Sequence, residues 1–254
     1  MATPRNARPG MLLDPGAPIN RGLIGWWPMW EGAGGKTLDI SGRNHNGTLI
    51  SEPLWDGGAL RFNGTTQRVD INSFTLGSTG DRTFLAEINP TSTTGYIGVV
   101  GVANQQLGIV DGRIWIRFDG SGHANSDKTS AVVITTNKWQ QIAGVQRGDS
   151  VEFYRNGAFL SSTGNVAPIN DLSAATIRIS NYSATAGWFP GSIRAPRVFN
   201  RALSALEVQQ LYVSPNFGLW VPDIKRYYIP TAPPVPPEIY YNPMLASVGR
   251  MMNR

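Results

Sequence analysis

Seventeen Asp and Glu residues, two His and no Cys are what this chain offers for chemistry. Glycoside hydrolysis needs two carboxylates across the scissile bond, about 5–5.5 Å apart for retention or about 6.5–9.5 Å for inversion. The acids in strand-like stretches, Asp70, Glu87 and Glu152, are isolated from one another. The lack of cysteine removes disulfides, thiolate metal ligands and thiol nucleophiles together. His45 and His123 lie in Gly-, Asn- and Ser-rich segments, and no G-x-S-x-G elbow accompanies them. "EGAGGKT" (Glu31 to Thr37) looks like a phosphate loop, but that motif requires glycine at Trp30. "LDISG" follows it, where a phosphate site needs a helix N-terminus. No catalytic or cofactor-binding residue is expected, and the chain reads as a non-enzyme.

Carbohydrate binding needs less: an exposed aromatic face with Asn, Asp or Gln side chains around it. Trp26, Trp27, Trp30, Trp55, Trp115, Trp139 and Trp188 lie between the two chain ends. Trp115 and Trp139 fall in alternating strands and are expected to be buried. Trp188 lies in a Gly/Ala/Ser stretch before "FPGS" and is the tryptophan expected at a surface. "NYSATAGW" and "HANSD" are candidate rim loops, so Trp188, Tyr182, His123 and Asn125 form the candidate glycan site.

These residues need a framework, and composition says which kind. Charged residues are only 15% of the chain, while Gly (29) and Pro (18) are abundant, a mix that favours strands and turns. The net charge of +5 is spread, with +2 in residues 1–21, +2 in residues 214–254 and no dense basic stripe between. A specific nucleic-acid partner is therefore not expected. No stretch approaches the roughly 20 apolar residues of a membrane span. "MATPRNARPGMLLDPGAP" has early arginines but no apolar run, so no export signal is expected.

Four prolines lie in residues 1–21 and eight in residues 214–254, leaving six for the 192 residues between. This divides the chain into an N-terminal arm (1–21), a globular body (22–213) and a Pro- and aromatic-rich C-terminal arm (214–254). About a dozen short strands are expected in the body. "LGIVDGRIWIRFDG" and "SVEFYRNGAFLSS" are hairpins, because Asp-Gly and Asn-Gly suit the positive φ angles of type I′ turns. "NRALSALEVQQLY" is the one expected helix. Ser204 and Glu207 form a capping box, Leu203, Leu206, Val208 and Leu211 supply apolar contacts, and Pro215 prevents continuation. The pattern predicts an all-β protein, a two-sheet antiparallel sandwich with one short C-terminal helix.

The segments "GLIGWWPMWEGAGGKTLDISGRNHNGTL", "GGALRFNGTTQRVDI", "KWQQIAGVQRGDSVEFYRNGAFLSS" and "GSIRAPRVFNRALSALEVQQLY", in this order, resemble the laminin-G-like, concanavalin A-like jelly-roll domains. The resemblance covers about residues 22–213. It implies the fold more than a function, because this sandwich serves lectins, enzymes, adhesion modules and particle surfaces. Retaining hydrolases among such relatives carry E-x-D-x-x-E on one strand, a pattern this chain lacks. Many relatives also have an acidic residue in the closing strand that helps to hold calcium. Arg194, Ala195 and Pro196 stand there instead. Asp39, with Asn44 or Asn46, is the remaining candidate metal ligand. Calcium wants six to eight oxygens, so Asp39 is expected to stabilise its turn instead.

"SPNFGLWVPDIKRYYIP" and "NPMLASVGRMMNR" resemble segments of structural proteins of tailed bacteriophages. Ordering a 41-residue arm costs on the order of 40–80 kcal/mol. Each buried aromatic returns only about 1.5–3 kcal/mol, so a large partner surface is needed. Phe217, Trp220, Tyr227, Tyr228, Tyr240 and Tyr241 are read as anchors on a strap, with Arg226 and Arg250 pairing with acidic or carbonyl groups. The resemblance implies a virion protein assembled in the bacterial cytoplasm, with major capsid or other virion proteins, or sister copies, as partners. A capsid decoration or minor head protein is the leading expectation; a module on a phage head or tail that adheres to host glycans is the alternative.

Overall fold

The computed structural model describes residues 11–75, 80–102, 105–117, 128–164, 175–181, 183 and 186–220. Two eight-stranded antiparallel sheets make up the body. Across the first, the strands run Lys128–Val133, Arg113–Arg117, Gln105–Val110, Tyr96–Val102, Ala175–Ile179, Arg68–Phe74, Gly47–Ile50 and Lys36–Thr37. Across the second they run Ala158–Thr163, Ser150–Arg155, Gln140–Arg147, Arg82–Pro90, Pro190–Phe199, Leu60–Asn63 and Leu54–Trp55, with Leu23–Trp26 also pairing to Pro190–Phe199. This is the expected jelly-roll sandwich.

The period of two in each strand decides which side chains meet between the sheets. Val69, Ile71, Ile177 and Ile179 from the first sheet face Phe84, Ala86, Ile88, Ile142 and Phe153 from the second in one dry core. Both expected hairpins form, with φ of 43° and 76° at Asp111 and Gly112 and of 51° and 76° at Asn156 and Gly157. The first expected strand is shorter than read. Ladder pairing covers Leu23–Trp26, and Trp27 to Met29 leave the ladder yet remain buried, with Met29 at a φ of 62°.

A second core lies on the outer face of the second sheet. Leu85, Ala143, Val145, Tyr154 and Phe199 are covered by Val208 and Leu211 of the helix α1 (Ala205–Val213), together with Leu203, Ile19 and Trp26. Leu206, expected in this contact, is 75% exposed, because the first turn of α1 points it to solvent.

The inner parts of both proline-rich ends meet on this side. Leu12–Leu13 pairs antiparallel with Leu219–Trp220. The Asn20 side-chain amide donates to the Asp14 and Gly218 carbonyls at 2.7 and 2.8 Å, tying the two segments together. Gly218, at a φ of 93°, leaves no room for a Cβ there, which would sit 2.6 Å from the Asn20 amide oxygen.

The capping box is present as read. The Ser204 amide donates to Glu207 Oε2 at 2.8 Å, and the Glu207 amide donates to Ser204 Oγ at 3.3 Å. Arg201 adds bonds of 2.6 and 2.9 Å to the same carboxylate. Burial raises the Glu207 pKa, but the Arg201 and Ser204 hydrogen bonds outweigh it and hold the group below the ordinary value of a glutamate. The unfolded chain therefore binds this proton more readily than the folded one. The contribution is complete above the unfolded pKa and is lost as pH falls through the folded value. Melting curves between about pH 6 and about pH 3 should show a steeper fall in Tm for the native protein than for Glu207→Gln.

Candidate functional site

Strand pairing lays one row of residues across the outer face of the first sheet: Lys36, Thr48, Asp70, Arg178, Gly101, Gln106 and Arg117. With strands about 4.8 Å apart, these seven positions span about 29 Å. Arg68, two residues before Asp70, shares its face. It grips the Asp70 carboxylate with two hydrogen bonds, Nε to Oδ1 at 2.8 Å and Nη2 to Oδ2 at 3.1 Å. Arg178 approaches the same carboxylate from the neighbouring strand, its Nε 3.6 Å from Oδ1. One carboxylate thus sits between two half-buried guanidiniums, leaving a local excess of positive charge and donors not used on Asp70.

An aromatic surface adjoins this cluster. Trp188, in the segment that leads into Pro190–Phe199, is half-buried, and the Arg68 guanidinium carbon lies 5.8 Å from its ring centroid. Thr176 donates to the Asn72 side chain at 3.1 Å on the same face. Farther along, Trp115 is buried but not between the sheets. Its cross-strand partner Gly108 presents no side chain, and the indole occupies the space a Cβ there would take. Tyr96 packs edge-on against it at 5.3 Å, and the Arg117 guanidinium carbon is 5.4 Å from its centroid.

Of the residues expected to bind glycan, Trp188 falls on this face; Tyr182, His123 and Asn125 lie outside the described residues. Arg68, Asp70 and Arg178 were missed. Their signal is a charged residue at alternate positions, "QRVDI" and "TIRIS". Nothing local shows that strands more than a hundred residues apart are neighbours.

Trp139, expected to be buried, is 40% exposed. It stands just before the strand Gln140–Arg147, on the second sheet, with the Arg194 guanidinium carbon 4.3 Å from its ring centroid. Alternation identifies a face, and this part of the face is not covered.

Asp39 is held inside its turn. Oδ1 accepts from the Trp26 and Ser41 amides at 3.0 and 2.9 Å; Oδ2 accepts from Ser41 Oγ at 2.8 Å and the His45 amide at 3.0 Å. The Asn46 side-chain oxygen is taken by the Asp39 amide, and Asn46 in turn donates to the Asn44 side chain. Among the described residues no group of three His, Cys, Asp or Glu is placed to hold a metal. Arg194, in the region where relatives carry acid, is paired with Glu87 at 2.6 Å, and Ala195 forms a bulge at a φ of 48°. This set of oxygens does not fit calcium, since each is already engaged by backbone or side-chain donors of the turn.

The strand acids are likewise committed. Asp70 belongs to the first sheet; Glu87 pairs with Arg194 and Glu152 with Arg147 on the second. Glu152 aligns with Val145 and hence with Thr83, four residues from Glu87 along its strand, about 13 Å. That is too far for a hydrolytic pair.

Phe217, half-exposed, lines a cleft of about 640 Å³ with Asp14, Ala17, Pro18, Pro215 and Leu219. Trp220 pairs through its backbone with Leu12. The other expected anchors, Arg226, Tyr227, Tyr228, Tyr240, Tyr241 and Arg250, lie outside the described residues. No helix among the described residues is long and apolar enough to cross a membrane.

Two eight-stranded sheets with a polar and aromatic outer face define a lectin-type β-sandwich. The chain belongs to the Laminin_G_3 family of the concanavalin A-like lectin/glucanases superfamily, which matches residues 63–209. No curated protein sequence matches the chain. Among solved structures it is similar to domain 4 of AbnA, an extracellular arabinanase of Geobacillus stearothermophilus in complex with arabinotriose. The TM-score is 0.59 at 18% identity, over 75% of this chain and 98% of that one. The botulinum neurotoxin serotype D binding domain gives 0.59 at 15%, over 76% of this chain and 52% of that one. Trypanosoma rangeli sialidase with 2,3-difluorosialic acid gives 0.59 at 14%, over 78% and 34%. The chain thus spans nearly all of the arabinanase domain, half of the toxin domain and a third of the sialidase. Identities this low show a shared fold. None of these three is named as a virion component.

Proposed function

We propose that this protein is a non-enzymatic carbohydrate-binding module whose ligand lies on the outer face of the first sheet, at Trp188, Arg68, Asp70 and Arg178. The observation that carries this reading is the Asp70 carboxylate held between two arginines beside a half-exposed indole. The carboxylate fixes the Arg68 guanidinium through two hydrogen bonds and attracts that of Arg178, and their remaining N–H groups can donate to hydroxyl or carboxylate oxygens. Sugar C–H faces suit the indole. The company of an arabinanase domain bound to arabinotriose supports the same class of ligand.

The test is calorimetric titration of the full chain with a panel of arabinan, xylan, β-1,3-glucan, dextran and sialylated oligosaccharides. Trp188→Ala and Arg178→Ala should each weaken binding about 10- to 100-fold, the worth of one charge-assisted hydrogen bond or one aromatic contact. Unchanged affinity in both variants would place the ligand elsewhere.

A second reading rests on the pairing of Leu12–Leu13 with Leu219–Trp220. It brings Leu12 and Trp220, one from each proline-rich segment, side by side. Such a base suits a capsid decoration or minor head protein strapped to capsid subunits or to sister copies, with the sandwich displayed outward and free to hold host glycan. Deleting residues 221–254, while keeping the paired segment through Trp220, should leave a folded body that no longer associates with particles. Full occupancy without that segment would rule the strap out.

A further inference from the structure

The sequence spreads its positive charge, but the first sheet gathers it. Lys36, Arg68, Arg113, Arg117 and Arg178 come from four separate strands. Strand pairing sets Lys36, Arg178 and Arg117 in one row across the outer face. Arg68 and Arg113 share that face, two residues from Asp70 and from Trp115. Lys36 and Arg113 are exposed, and the other three are half-buried. Among the described strand residues of this sheet Asp70 is the one acid, and Arg68 and Arg178 already share it. Asp111, at the turn before Arg113, is bonded to the Gly95 amide. The face therefore carries a clear excess of cations along a row of about 29 Å.

Aromatic rings stand among these cations. Tyr96 is 47% exposed, and its ring plane lies at 85° to that of Trp115. Two residues along its strand, the Gly98 amide donates to the Gly187 carbonyl at 2.8 Å, which brings the Trp188 segment alongside Tyr96–Val102. Rings and cations mixed on a flat sheet suit a linear ligand in which anionic groups alternate with planar ones. A neutral glycan at Trp188 makes no use of the charge on Lys36 or Arg113.

We infer that the outer face of the first sheet binds single-stranded nucleic acid without regard to base sequence. The five cations hold phosphates, and Tyr96 and Trp188 stack bases. Charge and ring faces are common to every nucleotide, so this surface does not read sequence. A duplex fits less well, because its bases are stacked on one another and not open to the rings.

The test is fluorescence anisotropy of labelled oligo(dT), about 20 nucleotides long, with the full chain in KCl from about 50 to about 300 mM. Three or four phosphate contacts predict a log–log salt slope of about −2 to −3. The double variant Lys36→Ala/Arg113→Ala should flatten that slope by about 1.4. Tyr96→Ala should weaken oligo(dT) about 5- to 100-fold and leave inorganic polyphosphate binding as it was, while Tyr96→Phe keeps native affinity. All three positions are exposed, and thermal melting verifies that each variant is folded. No binding at about 50 mM KCl would overturn the inference. So would a slope unaltered in the double variant, which puts the nucleic acid on other cations of the chain. Oligo(dT) affinity indifferent to Tyr96→Ala would reduce the face to a site for bare polyanions, and hyaluronan bound as tightly as oligo(dT) would reassign it to acidic glycans; either overturns the assignment. Lys36, Arg113 and Tyr96 do not belong to the Trp188 glycan site. Their substitution should leave neutral-glycan titrations unchanged, so the two readings stand or fall separately.

Discussion

Asp39→Ala is expected to destabilise the protein by about 3–5 kcal/mol, the range for removing one member of a fully buried charged network. The Asp39 side chain is wholly buried and gathers four donors from three segments: the Trp26 amide, the Ser41 amide and hydroxyl, and the His45 amide. Alanine leaves all four without an acceptor. The Trp26 amide belongs to the strand that pairs with Pro190–Phe199, so the loss reaches the second core as well. Asp39→Asn keeps one acceptor oxygen and turns the other position into a donor that faces two donors. Roughly half the loss or more is expected for it. Urea titration should show a lower midpoint with an unchanged slope, since the compactness of the end states is not altered. Because the carboxylate is already saturated, adding calcium should leave the native Tm where it is. A calcium-dependent rise abolished by Asp39→Asn would show the turn to be a metal site after all.

The second large effect is at Arg197, where two substitutions should differ sharply. Its guanidinium carbon sits 3.9 Å from the Trp26 ring centroid, and Nη2 donates to the Pro215 carbonyl. Burial pulls its pKa down to about 9, against the opposing field of Glu87. Glu87 already has Arg194, so Arg197 is not the only cation near that carboxylate. Arg197→Ala removes the side chain that fills the space over Trp26 and is expected to cost about 2–4 kcal/mol, as large-to-small core changes do. Arg197→Met keeps the volume without a charge to desolvate, and its stability should lie within about 1 kcal/mol of native, on either side. Equal losses for the two would mean that the bond to Pro215, which ties the segment after α1 to the sheet, outweighs packing.

Local chemistry made much of this structure legible. Asp111-Gly112 and Asn156-Gly157 specify their turns because only certain residues accept two successive positive φ angles. Ser204 and Glu207 specify a helix start because each satisfies a backbone or side-chain group of the other. Asp39 reads as a turn residue for the same reason, its acceptors lying within a few residues of Ser41 and His45. Trp115 and Trp139 show where such reading stops. Both sit in alternating sequence, yet Trp115 is buried on an outer face, over Gly108, and Trp139 stands exposed. Alternation assigns a side chain to a face. What covers that face depends on segments far away in the chain.

The candidate site shows the same division. Trp188 was recognisable because a lone indole in a small-residue stretch has little core to join. Arg68, Asp70 and Arg178 were each visible as charges in strands, but their meeting depends on Ala175–Ile179 lying beside Arg68–Phe74. The sequence by itself determined that the chain is an all-β sandwich with one capped helix and no thiol chemistry, since periods, turns and caps act over a few residues. Only the tertiary structure decided which charges share a carboxylate, which tryptophans face solvent and that Leu12–Leu13 pairs with Leu219–Trp220. Those outcomes depend on strand order and layer packing, which are set by non-local burial of apolar surface, and no short stretch of sequence encodes its distant neighbours.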